Sequence, residues 1–306
     1  MSQDPRGPQL YRRSKRPGTK PAPRPAPQDA HANEPAAQAV AGVRRITSLA
    51  NDLIKDMRGL QSKKERAETG FFLAEGLKLV TDAYEAGWHV ATLAYCETVA
   101  HQPRVRDAIA LALHAGSDVI EVSEAVLEKI SRRDNPQMIV SVIAQRYATL
   151  MPGSFEGVWV ALEGVKDPGN LGTIIRTVDS VGARGVILIE ETTDPFVIEA
   201  VRATMGSLFH VPLVKMSREA FGQFVAAAQV PVYGTHLKGA VDYRTIDYPE
   251  RAILLMGNEQ SGLPETYLGY CTRVIKIPMA GKADSLNLAI ATGIALYEMR
   301  RKSLAL

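Results

Sequence analysis

The chain has 306 residues, 46% of them hydrophobic, so it can bury a large core and form two domains. It lacks a run of about 18 uncharged apolar residues and the apolar stretch of a signal peptide, which predicts a cytoplasmic protein that does not span a membrane. Its two cysteines, Cys96 and Cys271, lie far apart without metal-ligand spacing, so we expect neither a disulfide framework nor a metal site.

Residues 1–42 carry the excess of positive charge. They contain seven Lys/Arg and three Asp/Glu, a net charge of +4, which leaves −1 for residues 43–306 of the chain's total of +3. They also hold eight of the 18 prolines and few large apolar groups, so we predict a disordered, basic, proline-rich tail. Such a tail suits loose contact with RNA phosphates, and a role in solubility alone explains its composition equally well.

Residues 43–150 alternate between helix and strand patterns. Residues 48–70 have apolar positions at helical spacing, which predicts one charged helix that ends at Gly70. The following segments alternate between strand and helix and read "FFLAEG", "LKLVTDAYEAG", "VATLAYCE", "RVRDAIALALHAG", "DVIEVS", "EAVLEKIS" and "MIVSVIAQR". This pattern predicts a small α/β domain, joined to the rest of the chain by the segment 147–155.

Residues 151–306 repeat the alternation with stronger strands. The runs rich in β-branched residues are "GVWVALEGV", "GVILIE", "VPVYGTH", "AILLMGN" and "RVIKIPM". Helical segments lie between most of these runs, which predicts a mostly parallel sheet. In such sheets ligands bind beyond the carboxyl ends of the strands, so the polar loops at those ends are the candidate sites.

The first candidate loop is "EGVKDPGNLGTIIRTVDSVGA", residues 163–183. Asn170 can cap the helix that follows and Gly182 can end it. Arg176 is harder to explain, because a guanidinium in an apolar helix is usually either exposed at the helix edge or paired with an acid.

The second and third loops are also polar. "LLMGNEQSGLP", residues 254–264, places Glu259 between two turn glycines, yet neither GK[ST] nor GxGxxG accompanies it, and a solvated acid in a turn is the plain alternative. "IPMAGKADSLNLAIATGIALYEMRRK" starts a long apolar helix at Ser285 or Asn287. A helix cap explains one of these two residues and not both.

Together the three segments resemble the motifs of the SpoU family of RNA ribose methyltransferases, within the knotted SPOUT class. The motifs are present as "DPGNLGTIIRT", "MGNEQSGLP" and "IPMAGKADSLNLAIATGIALYE", in the family's order within residues 156–302. Residues 43–147 are similar to the small α/β RNA-binding domain of many members. The resemblance implies an α/β fold, with a trefoil-knotted, mostly parallel methyltransferase domain over 151–306 preceded by an RNA-binding domain over 43–150.

The resemblance further implies that the cofactor is S-adenosylmethionine. This ligand has no phosphate, which accounts for the missing phosphate-binding motifs. By position in the motifs, the adenosine pocket would be lined by Gly257, Ile277 and Leu286, with Thr235 as a further candidate. Core packing is the ordinary alternative for Ile277 and Leu286.

The implied reaction is attack of a ribose 2′-hydroxyl on the sulfonium methyl group. Arg176 matches the family's catalytic arginine, and a guanidinium with a pKa above about 12 is better suited to position the hydroxyl or a phosphate than to act as a base. Glu259 would orient Arg176 through a bidentate pair. The rest of the polar cage would come from Asn170, Ser285 and Asn287.

The resemblance implies a homodimer that methylates ribosomal or transfer RNA. His210 and His236 lie outside the three motifs, which disfavours a histidine base.

Three alternative functions remain at this point. They are a non-catalytic RNA-binding protein that keeps the fold, a base methyltransferase of the same knotted class, and an unrelated nucleotide-binding α/β enzyme, which would need phosphate motifs that this sequence lacks.

Overall fold

The computed structural model describes residues 41–132, 137–236 and 240–304. The predicted disorder of the tail falls, up to residue 40, outside the described residues. Within them the chain forms two β-sheets with helices packed around them, so the predicted α/β class is confirmed. None of the described helices is long and apolar enough to cross a lipid bilayer.

The first sheet belongs to the N-terminal part of the chain. Its strands are β1 (Val43–Ile46), β2 (Phe71–Glu75), β3 (Val90–Cys96), β4 (Asp118–Val122) and β5 (Ile139–Ala144), in the spatial order β1-β4-β3-β5-β2. The pairs β1–β4 and β3–β4 are parallel, whereas β5 pairs antiparallel with β2 and β3. Strand β1 was not predicted, because this short edge strand carries Arg44 and Arg45, which pair at the surface with Asp118 and Glu97.

The helices of this part are α1 (Asp52–Gly59), α2 (Lys63–Thr69), α3 (Leu77–Glu85), α4 (Pro103–His114) and α5 (Glu124–Ser131). The prediction of a single helix over residues 48–70 is wrong, because the helix is interrupted between Gly59 and Lys63. The guanidinium of Arg66 donates hydrogen bonds to the carbonyls of Leu60 and Gln61, which satisfies the backbone at this break. The predicted end at Gly70 is confirmed, since Gly70 has a φ of 72°.

The second sheet contains seven strands among the described residues, and all of its strand pairs are parallel. They are β6 (Val158–Glu163), β7 (Gly185–Ile189), β8 (Leu213–Met216), β9 (Val232–Thr235), β10 (Val241–Asp242), β11 (Ala252–Met256) and β12 (Arg273–Lys276), in the order β10-β12-β9-β11-β6-β7-β8. The predicted parallel sheet is confirmed, and the trefoil knot stays a prediction. The short strands β8 and β10 were missed, because neither gives a long apolar run.

The helices of the second part are α6 (Pro168–Ser180), α7 (Ile198–Ala203), α8 (Arg218–Ala228) and α9 (Leu288–Arg300). Residues 147–157 connect the two parts and contain only a short 3-10 turn, Pro152–Ser154. Since the strands of the second sheet are parallel, the loops after β6 and β11 emerge at the same edge. The polar motif loops therefore meet there.

The two sheets share an apolar core. Phe72 of β2 packs against Phe196, with ring centroids 4.8 Å apart. Trp88 packs edge-on against Phe209 at 5.3 Å and donates a hydrogen bond from Nε1 to its carbonyl at 3.0 Å. The small sheet is therefore held against the large one by buried contacts.

Candidate active site

Glu259, in the loop after β11, is the centre of a polar network at the sheet edge. Its Oε1 accepts hydrogen bonds from the backbone N–H of Asp167 and from Nδ2 of Asn170, and its Oε2 accepts one from the backbone N–H of Lys166, all at 3.2 Å. Burial by itself would raise the pKa of Glu259, but hydrogen bonds from its own backbone amide and from these three groups hold the pKa below its ordinary value. The carboxylate is therefore ionised and bound to the first motif loop.

Asn287 extends the network to the third motif. Its Nδ2 donates to Oδ1 of Asn170 at 2.9 Å. Its own Oδ1 accepts from the backbone N–H groups of Ala289 at 2.9 Å and Ile290 at 3.2 Å, so Asn287 is the cap of α9. The chain Glu259–Asn170–Asn287 thus joins the three motifs by side-chain hydrogen bonds.

The start of α6 differs from the sequence prediction. Asp167 caps this helix, because its Oδ1 accepts from the backbone N–H of Asn170 at 2.6 Å. Asn170 lies inside the first turn, so the prediction that it is the cap is wrong. Pro168 occupies the first turn of the helix, where the N–H group that proline lacks would have no partner within the helix. Asp167 directly precedes Pro168, and its side chain is the acceptor at the start of the helix.

Arg176 lies six residues after Asn170 on α6, about 9 Å along the helix axis. Its side chain is exposed and makes neither an ion pair nor a hydrogen bond with the described residues. The expected bidentate pair with Glu259 is absent, because the N-terminal turn of α6 already supplies the donors for that carboxylate. The guanidinium is therefore available to an external ligand.

A cavity of about 440 Å³ lies beside the network. It brings together the four residues predicted to bind the cofactor, namely Thr235, Gly257, Ile277 and Leu286. Of the predicted catalytic residues, Glu259 and Ser285 also line it, whereas Asn170 and Asn287 reach it through their bonds to Glu259. Its apolar wall comes from Met256, Leu263, Ile275, Leu288 and Ala291.

Gly257 is required at this wall by space and not by its backbone angles. A Cβ atom placed there would lie 2.2 Å from the backbone nitrogen of Leu263 and 2.3 Å from the carbonyl carbon of Gly262. The loop folds back this closely because Asn258 and Gly262 exchange backbone hydrogen bonds at 3.0 and 2.9 Å. The glycine thus shapes the loop on which the cavity depends.

Asn258 is a site residue that the sequence analysis missed. Its Nδ2 donates to the carbonyl of Gly164 at 2.7 Å, and its Oδ1 accepts from the backbone N–H groups of Gln260 at 2.9 Å and Ser261 at 3.2 Å. It therefore ties the loop after β11 to the loop after β6. An asparagine directly after a buried strand and before a glycine turn is the signal that could have found it.

Histidines were disfavoured as a base because they lie outside the motifs. The structure places His236 in the wall of the cavity, at the end of β9. His210 lies in an exposed position after the 3-10 turn Ser207–Phe209. His236 is therefore a cavity residue that motif position alone did not indicate.

Comparison with known proteins identifies the family. The family model described as "SpoU rRNA Methylase family" matches residues 157–297, and the "MRM3-like substrate binding domain" model matches residues 51–141. The 23S rRNA (guanosine(2553)-2'-O)-methyltransferase RlmP of Bacillus subtilis is 32% identical over 258 residues, which cover 84% of this chain and all of RlmP. The chain belongs to the SpoU rRNA methylase family.

Solved structures of other members have the same fold. The AdoMet-bound rRNA methyltransferase from Sinorhizobium meliloti is 51% identical, with a TM-score of 0.80 over 86% of this chain and all of that one. The SpoU methyltransferase AviRb from Streptomyces viridochromogenes, in complex with the cofactor AdoMet, is 28% identical, with a TM-score of 0.73 over 83% of this chain and 98% of its own. Both of these proteins were solved with bound AdoMet, which is S-adenosylmethionine.

Proposed function

We propose that this SpoU family member transfers a methyl group from S-adenosylmethionine to a ribose 2′-hydroxyl of large-subunit ribosomal RNA. The observation that carries the proposal is the polar network of Glu259, Asn170 and Asn287, which joins the three SpoU motifs beside a ligand-sized cavity. RlmP, whose full length this chain covers, is named for methylation of a 23S rRNA ribose. We place the activity in the cytoplasm, where ribosomal RNA is found.

The residues of the cavity fit S-adenosylmethionine. Its volume of about 440 Å³ lies in the range of small-molecule sites, and its walls combine apolar side chains with a few polar groups. When bound, this cofactor supplies the methyl group as an electrophilic sulfonium. Ile277 and Leu286 would contact the flat apolar faces of the adenine, and the backbone of the Gly257 loop would lie close to the adenosine.

The chain's own residues would orient the nucleophile. In methyl transfer a C–O bond to the ribose forms, the C–S bond breaks, and the hydroxyl proton leaves to solvent. The exposed guanidinium of Arg176 would hold the 2′-oxygen or the adjoining phosphate, which stabilises negative charge as it develops on the oxygen. The hydroxyl of Ser285, which lines the cavity at an exposed position, is the second predicted group available to the RNA.

Glu259, Asn170 and Asn287 would act indirectly. Their side-chain hydrogen bonds are directed at one another and at the starts of α6 and α9. They would therefore fix the position of α6, which carries Arg176, and of α9, which contains the end of the third motif. Their role is to orient other groups, and correct alignment of the reacting groups contributes a large part of the rate enhancement in enzymes.

The proposed assembly is a homodimer. An exposed apolar face lies along α9, where Ile290 is 57% exposed and Tyr297 is 52% exposed. A shallow cavity of about 430 Å³ on this face is lined by Thr173, Thr177, Ala289, Ile290, Gly293, Ile294 and Tyr297. The face is next to Arg176 on α6 and continuous with the start of α9. A second copy of the chain would therefore bury apolar surface and stand beside the site.

We expect Ile290→Asp to convert the dimer into monomers, because a carboxylate on the apolar face would be buried without a partner in the dimer. Analytical ultracentrifugation would measure the mass, after circular dichroism has confirmed folding. Leu111→Asp is the matched control, since Leu111 is an exposed apolar residue on α4 of the first part of the chain. A wild-type monomer, or a dimer that survives Ile290→Asp, would contradict the assignment.

The function itself predicts a ribose that resists alkali. Methylating the 2′-oxygen removes the nucleophile of alkaline cleavage, so 23S rRNA treated with the protein and S-adenosylmethionine should gain one position that base hydrolysis does not cut. Mass spectrometry of the digest would locate the methyl group. A methylated base at an alkali-sensitive position would favour the base methyltransferase, and RNA binding without any methyl transfer would favour the non-catalytic alternative.

A further inference from the structure

Arg66, in α2 of the small N-terminal part, is a buried cation that the proposed mechanism does not use. Its side chain is 4% exposed, and that of its partner Asp194 is 14% exposed. Nε and Nη2 of Arg66 each lie 2.8 Å from Oδ2 of Asp194. Nη1 donates to the carbonyls of Leu60 at 2.8 Å and Gln61 at 3.0 Å. The guanidinium therefore links the α1–α2 break to the loop after β7.

The loop that contains Asp194 lies against the first motif loop. Oδ1 of Asp194 accepts from the backbone N–H of Phe196 at 2.9 Å, which fixes the turn. The neighbouring N–H of Thr193 donates to the carbonyl of Val165 at 2.7 Å. One residue further along the motif loop, Nζ of Lys166 donates to the carbonyl of Glu191 at 2.9 Å. Residues 190–196 thus form a support for residues 165–166.

That support ends at the active-site network. The backbone N–H groups that bind Glu259 belong to Lys166 and Asp167, which directly follow Val165. A shift of Val165 would therefore move the donors that hold Glu259, and with them the start of α6. Arg176 is carried on that helix, so its position depends on the same backbone.

Stability alone is a weak reason for this ion pair. Removing two charges from water is costly, and well-packed apolar residues often stabilise a protein at least as well. What an arginine–carboxylate pair adds is direction, since the guanidinium binds in a fixed planar geometry. A directional contact between the small part and this loop suits a positioning role.

We propose that Arg66 is a positioning residue for methyl transfer, which acts through Asp194 on the 190–196 loop and thereby sets the first motif loop. The inference rests on the proposed function, because it concerns the rate of that reaction. If Arg66 has this role, the small N-terminal part helps to hold the active-site loops in place, in addition to offering a candidate surface for RNA.

The chain contains a matched control pair. Arg202 of α7 donates from Nε to Oε2 of Glu75 at 3.0 Å, and the side chain of Glu75 is fully buried at the end of β2. This pair also joins the two parts of the chain. Arg202 lies on α7 and not in the 190–196 loop, so the Arg202–Glu75 pair does not support residues 165–166 directly.

The test compares Asp194→Asn and Arg66→Lys with Glu75→Gln and Arg202→Lys in the full chain. Single-turnover methyl transfer would be measured at saturating RNA and S-adenosylmethionine, together with the KM for RNA, calorimetric affinity for the cofactor and thermal unfolding. We expect Asp194→Asn to slow transfer about 10- to 100-fold, the size of effect that a misplacement of about 1 Å can cause. The KM for RNA should change little, and the control pair should lose similar stability while keeping a rate close to that of the wild type.

Three outcomes would overturn the proposal. They are a normal rate in folded Asp194→Asn, an equal loss of rate in both pairs, and a loss confined to the KM for RNA. If Asp194→Asn does not fold, Arg66→Lys decides, since it keeps the positive charge and loses the planar fork. A wild-type chain that transfers no methyl group would refute the proposed function itself, which is a separate result.

Discussion

Arg176→Ala is expected to slow methyl transfer about 10²–10³-fold, because loss of one group that stabilises a developing charge typically has an effect of this size. The affinity for S-adenosylmethionine should change little, since Arg176 is an exposed residue of α6 and does not line the cavity. Folding should be preserved as well, because the side chain makes no hydrogen bond or ion pair with the described residues. Single-turnover kinetics at saturating RNA and calorimetric titration of the cofactor would measure the two quantities.

Arg184→Ala provides the control for Arg176. Arg184 is another exposed arginine, placed after α6, and within the described part of the chain it forms one ion pair, a surface contact with Glu156 at 3.4 Å. Its replacement should leave both rate and cofactor affinity near the wild-type values, because exposed ion pairs of this kind contribute little. The assignment of Arg176 fails if the folded Arg176→Ala variant transfers methyl at the normal rate.

Gly257→Val is expected to abolish binding of S-adenosylmethionine. A branched side chain cannot fit where a single Cβ would lie 2.2 Å from the backbone of Leu263, so the loop of residues 258–263 must move. That loop lines the cavity and carries Glu259, so the wall and the polar network would be displaced together. Calorimetric titration should detect no cofactor binding, and methyl transfer should be lost as a consequence.

Gly269→Ala is the matched glycine control. Gly269 lies in the 3-10 helix Glu265–Tyr270, and a Cβ atom there would have no neighbour within 4 Å. The substitution should therefore leave binding and folding unchanged. Circular dichroism must show that Gly257→Val keeps its overall structure, and a folded Gly257→Val variant that still binds the cofactor normally would contradict the role of this loop.

Much of the fold could be predicted from local sequence patterns. Strand β11 is a continuous apolar run and β6 is one as far as Leu162, and the alternation of such runs with helices is enough to indicate a parallel sheet. Prediction failed where the local pattern is weak. The strand β1 contains two arginines, and the break between α1 and α2 depends on Arg66, whose role becomes visible only when its carbonyl acceptors are known.

The candidate site shows the same division. The motifs were enough to name three residues that line the cavity, Gly257, Ile277 and Leu286, which follow parallel strands at their carboxyl ends, where ligands bind, but they did not indicate Asn258 or His236. They were not enough to name hydrogen-bond partners. Arg176 and Glu259 were expected to pair by opposite charge, yet the carboxylate is bound by the nearer donors at the start of α6.

The sequence by itself determined the family, the parallel sheet and those cavity residues that lie in the motifs and were named from them, since these follow from periodicity and from motif residues in a fixed order. Only the tertiary structure decided which polar groups form hydrogen bonds and ion pairs with one another. Asn170 and Glu259 are 89 residues apart, and Arg66 and Asp194 are 128 residues apart. Such contacts depend on which loops the packed sheets bring within about 3 Å of one another, and no local pattern encodes that distance.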